Sequence, residues 1–592
     1  MFHVHIFFSF LLTCLLLCVF VKKILGKINF SNYNQFWALL VSAIFGLLCA
    51  NAETVNYIIQ RAEIVAGLYI LAGFVAFLQG GAWRSKYIYL LFPFIGFFAK
   101  EMAFVFSPLL LLYVMIFEEN ADLLHFYRKE EFKKCWRSFM KILPSFILTI
   151  AFYVFYTKML PDTFSAGGTD RFKYLITQPM VMCHYLVTYF VPYNLSADTD
   201  WTVYNSLSDY RAIVGIAITC FLVYLALKAS ANKETRLFSF GLLWFFISLL
   251  PTSSFIAFAE VLNDHRCFIP YLGLTISFVF GSKYLVEKYF PKGIKQKSTH
   301  SFLIVVLILF LGSNAYGVYQ RNKVWKSEET LWYDVTIKSP QNGRGLMNYG
   351  LTQMAKGNYT NAIAYFDRAK VFTPNYYSLF INIGIAKGAV GKHEEAIASF
   401  EKAITLSPNS FGPYAFYARY LSQNRKYNEA KLMGEKSLQI DPNSLLTLNV
   451  LMEVYQNLGL WNDLERVAKH VLDLVPDDKN ALNYLNAAKE EKSPVEMALE
   501  AKSKKGMSAE DYLNLSLTYY NAGKFEKCIE ACESALKLKP DYADAYSNMG
   551  ASYNMLKQWD KGIEACKKAL EINPKHRLAQ GNLAWALKEN QK

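Results

Sequence analysis

Seven prolines in the second half of the chain are spaced by a fixed interval. The first five follow one another at 34 residues, and the last two repeat that interval after one irregular gap: Pro340, Pro374, Pro408, Pro442, Pro476, Pro540 and Pro574. A constant period of this length is the signature of a protein built from stacked structural repeats. The chain before about residue 320 is different, because it is a series of apolar segments rich in Phe, Leu, Ile and Tyr. The sequence therefore predicts a membrane domain over 1–320 and a repeat domain over 321–592.

The first half is apolar enough to be divided into membrane-spanning segments. Hydrophobic residues make up 53% and aromatic residues 16% of the chain, and its mean hydropathy is +0.15. These values are high for a soluble protein, and a helix needs about 20 apolar residues to cross a bilayer. Ten segments qualify, several of them short: 4–21, 35–50, 57–79, 87–99, 102–117, 142–159, 212–227, 237–250, 268–282 and 302–319. A further stretch, 173–193, is interrupted by Gln178, Pro179 and His184. Three interpretations of this stretch stay open: it crosses the bilayer, dips into it or lies at the interface.

Lysine and arginine between the predicted spans indicate which loops stay in the cytoplasm. They gather at 22–27, 84–86, 128–141, 228–236 and 283–297. The loops poorer in basic charge, 51–56, 160–210 and 251–266, are therefore predicted outside, together with the repeats. We interpret the net charge of +14 as this orientation signal and not as a nucleic-acid footprint.

The predicted location is an integral, multi-pass membrane protein with extracytoplasmic repeats, in a bacterial periplasm or in the lumen of the endoplasmic reticulum. The same count of crossings starts Met1 on the outer side with no span ahead of it. It predicts that a segment is missing upstream.

Side chains at fixed places of the 34-residue unit identify the repeat. Small residues occupy positions 8, 20 and 27 and an aromatic residue occupies position 24, in two successive units: Gly350, Ala362, Phe366, Ala369, Gly384, Ala396, Phe400 and Ala403. This matches the tetratricopeptide pattern, in which small residues let two helices approach, the aromatic fills their seam and proline ends the second helix. The irregular gap corresponds to a degenerate unit near 479–508. The predicted fold class is all-α, a polytopic transmembrane helical domain followed by a tetratricopeptide-repeat α-solenoid.

An asparagine recurs at position 6, on the helix that faces the concave side of such a solenoid. It is present in five units: Asn348, Asn382, Asn514, Asn548 and Asn582. An amide donates and accepts hydrogen bonds at once, which suits the backbone of an extended peptide. The series resembles the asparagine ladder of the O-linked N-acetylglucosamine transferase repeats, and it predicts a peptide-binding groove. The alternative is that asparagine is simply common at this position, and Phe416 and Val450 interrupt the series.

Charged side chains within apolar surroundings are costly and mark candidate sites in the membrane half. They fall in four places, all predicted on the outer side: Asn51, Glu53, Arg61 and Glu63; Lys100 and Glu101; Asp198 and Asp200; Glu260, Asp264, His265 and Arg266. Acids and cations converging there predict a site that binds a phosphate and activates a nucleophile. The alternative is that they form ion pairs at helix ends and ordinary loop charges.

In this order, and with this repeat domain, the motifs resemble a known family. The chain is similar to the transmembrane and tetratricopeptide-repeat O-mannosyltransferases and to their bacterial relatives, which are multi-span glycosyltransferases of the GT-C fold. The matching positions are Glu53, Val55 and Arg61; Ala99, Lys100 and Glu101; Asp264, His265, Arg266, Phe268 and Pro270; and Arg321, Asn322 and Trp325. Asn51 departs from the family pattern, which has His-Pro ahead of the glutamate.

The resemblance implies transfer of a sugar from a polyprenyl-phosphate donor to an acceptor on the outer face. Arg61, Lys100, His265 and Arg266 are the implied phosphate-binding cations. The candidate catalytic carboxylates are Glu101, Asp198 and Asp200, with no base assigned. The implied partners are membrane lipid, a lipid-linked sugar and a protein or peptide acceptor. No cofactor is indicated, and the metal requirement stays open.

One departure from the family leaves the enzyme assignment uncertain. The acidic catalytic motif that GT-C enzymes carry in their first outer loop is absent from this sequence, so either the start was placed too late or this is a divergent form without the acid. The first alternative to an enzyme is a catalytically inactive, membrane-anchored scaffold that uses its repeats for protein binding. A transporter ranks third, because its polar groups would be expected in broken helices at the midplane.

Overall fold

The computed structural model describes residues 2–28, 31–160, 170–254, 257–290, 297–492 and 506–590. These residues form helices, turns and loops, and no strand occurs among them. The predicted all-α class is therefore confirmed. The chain divides into two compact units, Met1–Thr373 and Pro374–Lys592. The helices of the first repeat lie in the same unit as the apolar helices.

The first unit contains the apolar helices and the first repeat. Its helices are α1 (Phe2–Ile28), α2 (Asn34–Leu47), α3 (Ala52–Asn56), α4 (Arg61–Gln79), α5 (Gly81–Ser85), α6 (Leu91–Ala99), α7 (Phe106–Tyr113), α8 (Lys129–Met159), α9 (Arg171–Phe190), α10 (Tyr210–Ala229), α11 (Arg236–Leu249), α12 (Phe268–Tyr289), α13 (Lys297–Val324), α14 (Glu328–Lys338), α15 (Gly343–Ala355) and α16 (Tyr359–Phe372). Short 3₁₀ turns precede several of them, at Cys49–Asn51, Ile58–Gln60, Ile88–Leu90, Glu101–Val105 and Asp264–Cys267.

The ten predicted apolar segments are mostly helical, and the second of them, 35–50, is interrupted at Leu48 between α2 and a 3₁₀ turn. Among the described residues, seven helices are long and apolar enough to cross a membrane: His3–Ile28, Ile58–Gln79, Glu101–Glu118, Lys129–Met159, Tyr210–Ala229, Asp264–Tyr289 and Ser301–Val324. An eighth span results if Asn34–Leu47 and Cys49–Asn56, which are bent by 53°, count as one. Ile88–Ala99 and Arg236–Leu249 are apolar but shorter, so the count of ten crossings stays a prediction.

Pro179 does not break the stretch 173–193, which forms the single helix α9 over its first 18 residues. Gln178 is buried there, and its side-chain nitrogen donates a hydrogen bond to the backbone oxygen of Val261 at 3.1 Å. The polar residue that interrupts the apolar pattern is thus bonded to the loop before α12.

Aromatic side chains fill the core of the membrane helices around Trp244. The rings of Phe74, Phe240 and Phe20 lie 5.3, 5.6 and 5.9 Å from its ring. The indole nitrogen of Trp244 donates to the backbone oxygen of Ile269 at 3.0 Å, which joins α11 to α12. A fully buried indole needs such a partner, because an unbonded N–H inside an apolar core is costly.

The second unit continues the repeats as pairs of helices. They are α17 (Tyr377–Ala389), α18 (His393–Leu406), α19 (Phe411–Gln423), α20 (Tyr427–Ile440), α21 (Leu445–Leu458), α22 (Trp461–Leu474), α23 (Lys479–Glu490), α24 (Ala509–Asn521), α25 (Phe525–Leu538), α26 (Ala543–Met555), α27 (Trp559–Ile572) and α28 (Arg577–Asn590). Phe400 is fully buried, and a Cβ added to Gly384 would lie 2.9 Å from its ring. Position 8 must therefore be small because the aromatic of position 24 packs on it. Residues 493–505 of the predicted degenerate unit lie outside the described residues.

Candidate active site

Two of the charged motifs meet through a buried contact between a histidine and a glutamate. His265 Nδ1 lies 3.0 Å from Glu53 Oε1, although the two residues are 212 positions apart in sequence. Glu53 comes from α3, just after the bend that follows α2, and His265 comes from the 3₁₀ turn that begins α12. Both elements place polar residues at the end of an apolar helix. The motif around Asn51 and the motif around Arg266 therefore belong to one site.

A second buried pair joins Lys100 to the same site. Lys100 Nζ lies 2.8 Å from a carboxylate oxygen of Glu63 and donates to Gln60 Oε1 at 3.2 Å. Lys100 is extended, with a φ of −163°, and interrupts the chain between α6 and the 3₁₀ turn Glu101–Val105. This break between helices lets the Lys100 side chain reach Glu63 and Gln60, although the sequence around it is apolar. Electrostatic interactions of Glu63 and Lys100 with His265 connect this ion pair to the contact between His265 and Glu53.

Arg266 is the third predicted cation and is fixed from several sides. Its Nη2 donates to the backbone oxygen of Glu260 at 3.1 Å and lies 3.7 Å from a side-chain oxygen of the same residue. Its Nη1 lies 3.4 Å from the hydroxyl of Tyr174, and its guanidinium carbon lies 4.9 Å from the centre of the Phe258 ring. Only 5% of Arg266 is exposed. This guanidinium is held in one orientation next to His265.

The first repeat contributes an arginine to the cluster. Arg344, at the start of α15, places Nε 2.6 Å from Asp198 Oδ2 and Nη2 2.9 Å from Glu260 Oε1. Burial alone would raise the pKa of Glu260, but the hydrogen bond from Arg344 and the charges of Arg344 and Arg266 outweigh it. The pKa of this carboxyl is therefore lower than its ordinary value. Glu260 is thus a carboxylate at neutral pH, shared by two arginines.

Asp198 and Asp200, predicted as catalytic carboxylates, both contact the first repeat. Asp200 Oδ2 accepts a hydrogen bond from the backbone nitrogen of Gln341 at 3.2 Å. The neighbouring backbone oxygens of Leu195 and Thr199 accept from Lys338 and Asn342, both at 2.9 Å. The loop 195–200 is therefore bound along the turn between α14 and α15.

We expect Arg344→Ala to lower the free energy of unfolding by about 1.5–3 kcal/mol, since hydrogen bonds to charged groups contribute that much. Asp198 is 5% exposed and loses its partner, whereas half of the Arg344 side chain is exposed, so the lower end of the range is expected. Chemical unfolding in mixed micelles measures the change. The matched control is Arg466→Ala, which removes an exposed pair with Asp463 and should cost less than about 1 kcal/mol. Equal losses in the two variants would contradict this role of Arg344.

Arg321, like Arg344, is a cation of the cluster that the sequence did not single out as a site residue. Arg321 is 6% exposed, and its Nη1 lies 2.7 Å from Asp334 Oδ2. Its Nε and Nη2 have no hydrogen-bond partner within the described part of the chain. Electrostatic interaction links it to the buried carboxylates of Glu53 and Asp264. The signal in the sequence is the match to the family at Arg321, Asn322 and Trp325, which lies apart from the four charged motifs.

The remaining predicted site residues are less closely connected to the cluster. Arg61 is exposed at the start of α4. Glu101 is half-buried and makes no hydrogen bond or ion pair with any described residue. Among the described residues, no group of three or more His, Cys, Asp and Glu side chains is arranged to hold a metal ion.

The five asparagines of position 6 each lie on the first helix of their repeat, in α15, α17, α24, α26 and α28. Asn514 is exposed and the other four, Asn348, Asn382, Asn548 and Asn582, are half-buried. The side-chain nitrogen of Asn548 donates to Ser516 Oγ of the preceding repeat at 3.1 Å. Peptide binding by this series stays a prediction.

Comparison with known proteins identifies the repeats directly. Family models described as tetratricopeptide repeat match residues 331–377, 377–410 and 543–576, and one described as TPR repeat matches 517–557. The C-terminal part of the chain consists of tetratricopeptide repeats. Among solved structures, YrrB, a TPR protein with an unusual peptide-binding site, is 14% identical and covers 42% of this chain and 96% of its own. Its TM-score is 0.19, too low to support an argument.

Two curated proteins are similar to a larger part of the chain. Protein O-mannosyl-transferase TMTC4 of Mus musculus is 23% identical over 370 residues, which is 56% of this chain and 48% of the relative. A protein O-mannosyl-transferase of Caenorhabditis elegans is 22% identical over 369 residues, 58% of this chain and 48% of its own. The chain spans about half the length of the curated relatives it matches. The resemblance to O-mannosyltransferases inferred from the sequence is thereby confirmed.

Proposed function

We propose that this protein is a membrane glycosyltransferase that moves a sugar from a polyprenyl-phosphate donor to an acceptor outside the cytoplasm. The observation that carries the proposal is the buried cluster of charges. Lys100 comes from one motif and His265 and Arg266 come from another, and the three side chains lie in one connected network with carboxylates. Similarity to two protein O-mannosyl-transferases supports the same reaction class. Buried charges are costly in a membrane domain and usually serve a function.

In this proposal the cations hold the donor phosphate. Fixed positive charges stabilise the negative charge that develops on a departing phosphate, and they do so most strongly where water is excluded. Each of Lys100, His265 and Arg266 is paired with a carboxylate, so the phosphate shares or replaces that partner. Arg61 is exposed at the start of α4 and supplies a further cation.

We assign the assisting carboxylate to Glu101, because its oxygens have no partner within the described residues. Asp198 and Asp200 then hold the first repeat beside the cluster through Arg344 and Gln341. The repeats bind the acceptor, which is a protein or peptide, and both the cluster and the repeats lie on the outer side of the membrane.

The test is turnover of a lipid-linked sugar by membranes that carry Arg266→Ala or Glu101→Gln. We expect each variant to be slower by about 100-fold, the effect of removing one transition-state contact. Arg211→Ala and Glu130→Gln are the matched controls, because both change exposed ion pairs of the same unit, and both should keep wild-type rates. Unchanged turnover in the two site variants would overturn the proposed site.

The pairing of Lys100, His265 and Arg266 with carboxylates also favours a second candidate, a membrane-anchored scaffold without catalysis. In a scaffold these ion pairs serve only to satisfy buried charges, and the function lies in the repeats. Such a protein tolerates Glu101→Gln with no loss of partner binding, and it shows no turnover of lipid-linked sugar in the wild type.

A further inference from the structure

A cavity of about 360 Å³ lies beside the charged cluster, between α1, the bend from α2 to α3 and the end of α13. This volume is within the range of about 300–1,000 Å³ that is typical of small-molecule sites. Asn51, Asn56 and Asn322 contribute three amides to its lining, and Phe7 and Phe10 contribute two aromatic rings. The imidazole of His3 also lines the cavity, and the rest of the lining is apolar. A lining of amides, aromatic rings and one imidazole suits a neutral ligand.

Asn51 is the buried polar group that points to a ligand. It is 2% exposed, and its side-chain nitrogen donates to the backbone oxygen of Phe45 at 3.0 Å. Its Oδ1 has no hydrogen-bond partner among the described residues. A buried amide oxygen without a partner is unfavourable, so it is suited to accept from a hydroxyl group of a ligand.

The other two amides are already oriented. Asn56 donates to Asn322 Oδ1 at 2.7 Å and to the backbone oxygen of Ala52 at 2.8 Å, which fixes α3 against α13. Asn322 is exposed, so the cavity is accessible at this end. The site thus combines oriented amides with aromatic surfaces, and a few placed polar groups in an apolar cavity are what orient a small ligand.

We propose that this cavity binds the sugar ring of a substrate, a neutral hexose whose hydroxyl group donates to Asn51 Oδ1. The apolar C–H face of the ring packs on Phe7 and Phe10. Glu53 follows Asn51 by two residues and binds His265, so the ring lies next to the cations assigned to the phosphate. The inference rests on the proposed function, and it adds the place where the sugar is recognised.

An isoprenoid chain is the competing occupant, since it would also fill an apolar cavity. A hydrocarbon chain offers no donor to Asn51 Oδ1 and would leave the amide oxygen unbonded. The amides therefore favour the sugar ring.

The test uses the full chain in lipid nanodiscs and saturation-transfer NMR with the methyl glycosides of glucose and mannose. We expect saturation of the ring protons in the wild type. Val55→Trp fills the cavity from its half-buried wall and should abolish the signal. Asn51→Ala should weaken binding by about fivefold to tenfold, the effect of one lost hydrogen bond.

Two controls separate the cavity from general effects of the substitutions. Val187→Trp places the same ring on the exposed face of α9, and Asn457→Ala removes an exposed amide of α21 that is bonded to its own helix. Both should bind as the wild type does, and thermal unfolding shows whether all variants are folded.

Absence of ring saturation in the wild type would overturn the inference, and so would a signal that persists in Val55→Trp. Binding of farnesol that Val55→Trp abolishes, without binding of either glycoside, would assign the cavity to an isoprenoid chain instead. Turnover of lipid-linked sugar is measured separately. Turnover without glycoside binding refutes sugar binding in the cavity and leaves the proposed function intact. Glycoside binding without turnover supports sugar binding in the cavity and contradicts the proposed function.

Discussion

Gly241→Val is expected to prevent the first unit from folding, because α11 and α12 approach too closely there for any side chain. A Cβ on Gly241 would lie 2.5 Å from the backbone nitrogen of Ser277 and would also collide with the backbone oxygen of Gly273. Both obstacles are backbone atoms, which cannot move aside without separating the helices. Small residues serve this purpose in membrane helices, where close packing replaces the hydrophobic effect as the source of association.

Separation of α11 from α12 would also break two contacts that join them. Ser277 Oγ donates to the backbone oxygen of Phe238 at 3.0 Å, and Trp244 donates to Ile269 at the same distance. Gly312→Val is the matched control, since a Cβ on this glycine of α13 meets nothing within 4 Å. We expect monodisperse protein from the control and aggregate from Gly241→Val in size-exclusion chromatography. Comparable yields of folded protein from both would show that the two helices can separate without loss of the fold.

The repeats could be predicted from the sequence because their determinants are local. Proline ends a helix by itself, and the contact between Gly384 and Phe400 joins residues 16 positions apart in one helical pair. Each unit therefore contains the residues that determine its own fold, and residues of the same type recur at the same positions of the next unit. The degenerate unit weakens the pattern where these positions are not filled.

The apolar segments were equally visible, but their division into crossings depends on more than hydropathy. Leu48 is extended, with a ψ of 118°, and bends the second apolar segment between α2 and α3. Gly46 lies two residues before this bend, but it is part of α2, and no proline is near it in the sequence. Ile88–Ala99 and Arg236–Leu249 are short for spans, and their role depends on how neighbouring helices cover them.

The charged motifs of the candidate site were found from the sequence, whereas their pairing was not. Hydropathy identifies Glu53 and His265 as unusual, but only the packing of α3 on the turn before α12 brings them to 3.0 Å. Asp198 was predicted as a catalytic acid for the same reason, and the structure pairs it with Arg344, 146 positions away. Whether a buried carboxylate binds a repeat or faces a substrate therefore depends on partners that are distant in the sequence.

Glu63→Leu is expected to lower the free energy of unfolding by about 3–5 kcal/mol, because it leaves Lys100 unpaired in an apolar region. Glu63 is 1% exposed and its carboxylate lies 2.8 Å from Lys100 Nζ. The double variant Glu63→Leu with Lys100→Met should regain this stability or exceed it, since apolar residues of similar size often replace a buried ion pair without loss. Chemical unfolding in mixed micelles gives both values. Glu130→Leu, which removes the exposed partner of Lys133, should cost less than about 1 kcal/mol.

The double variant also separates a structural role of the pair from a role in the proposed reaction. If Lys100 holds the donor phosphate, the variant is stable but turns over lipid-linked sugar at least about 100-fold more slowly, because a fixed cation is missing where charge develops. If the pair only satisfies two buried charges, stability and turnover return together. Restored turnover in a protein that lacks both side chains would remove Lys100 from the proposed site, and it would leave Arg266 and His265 as the buried residues to which the phosphate is assigned.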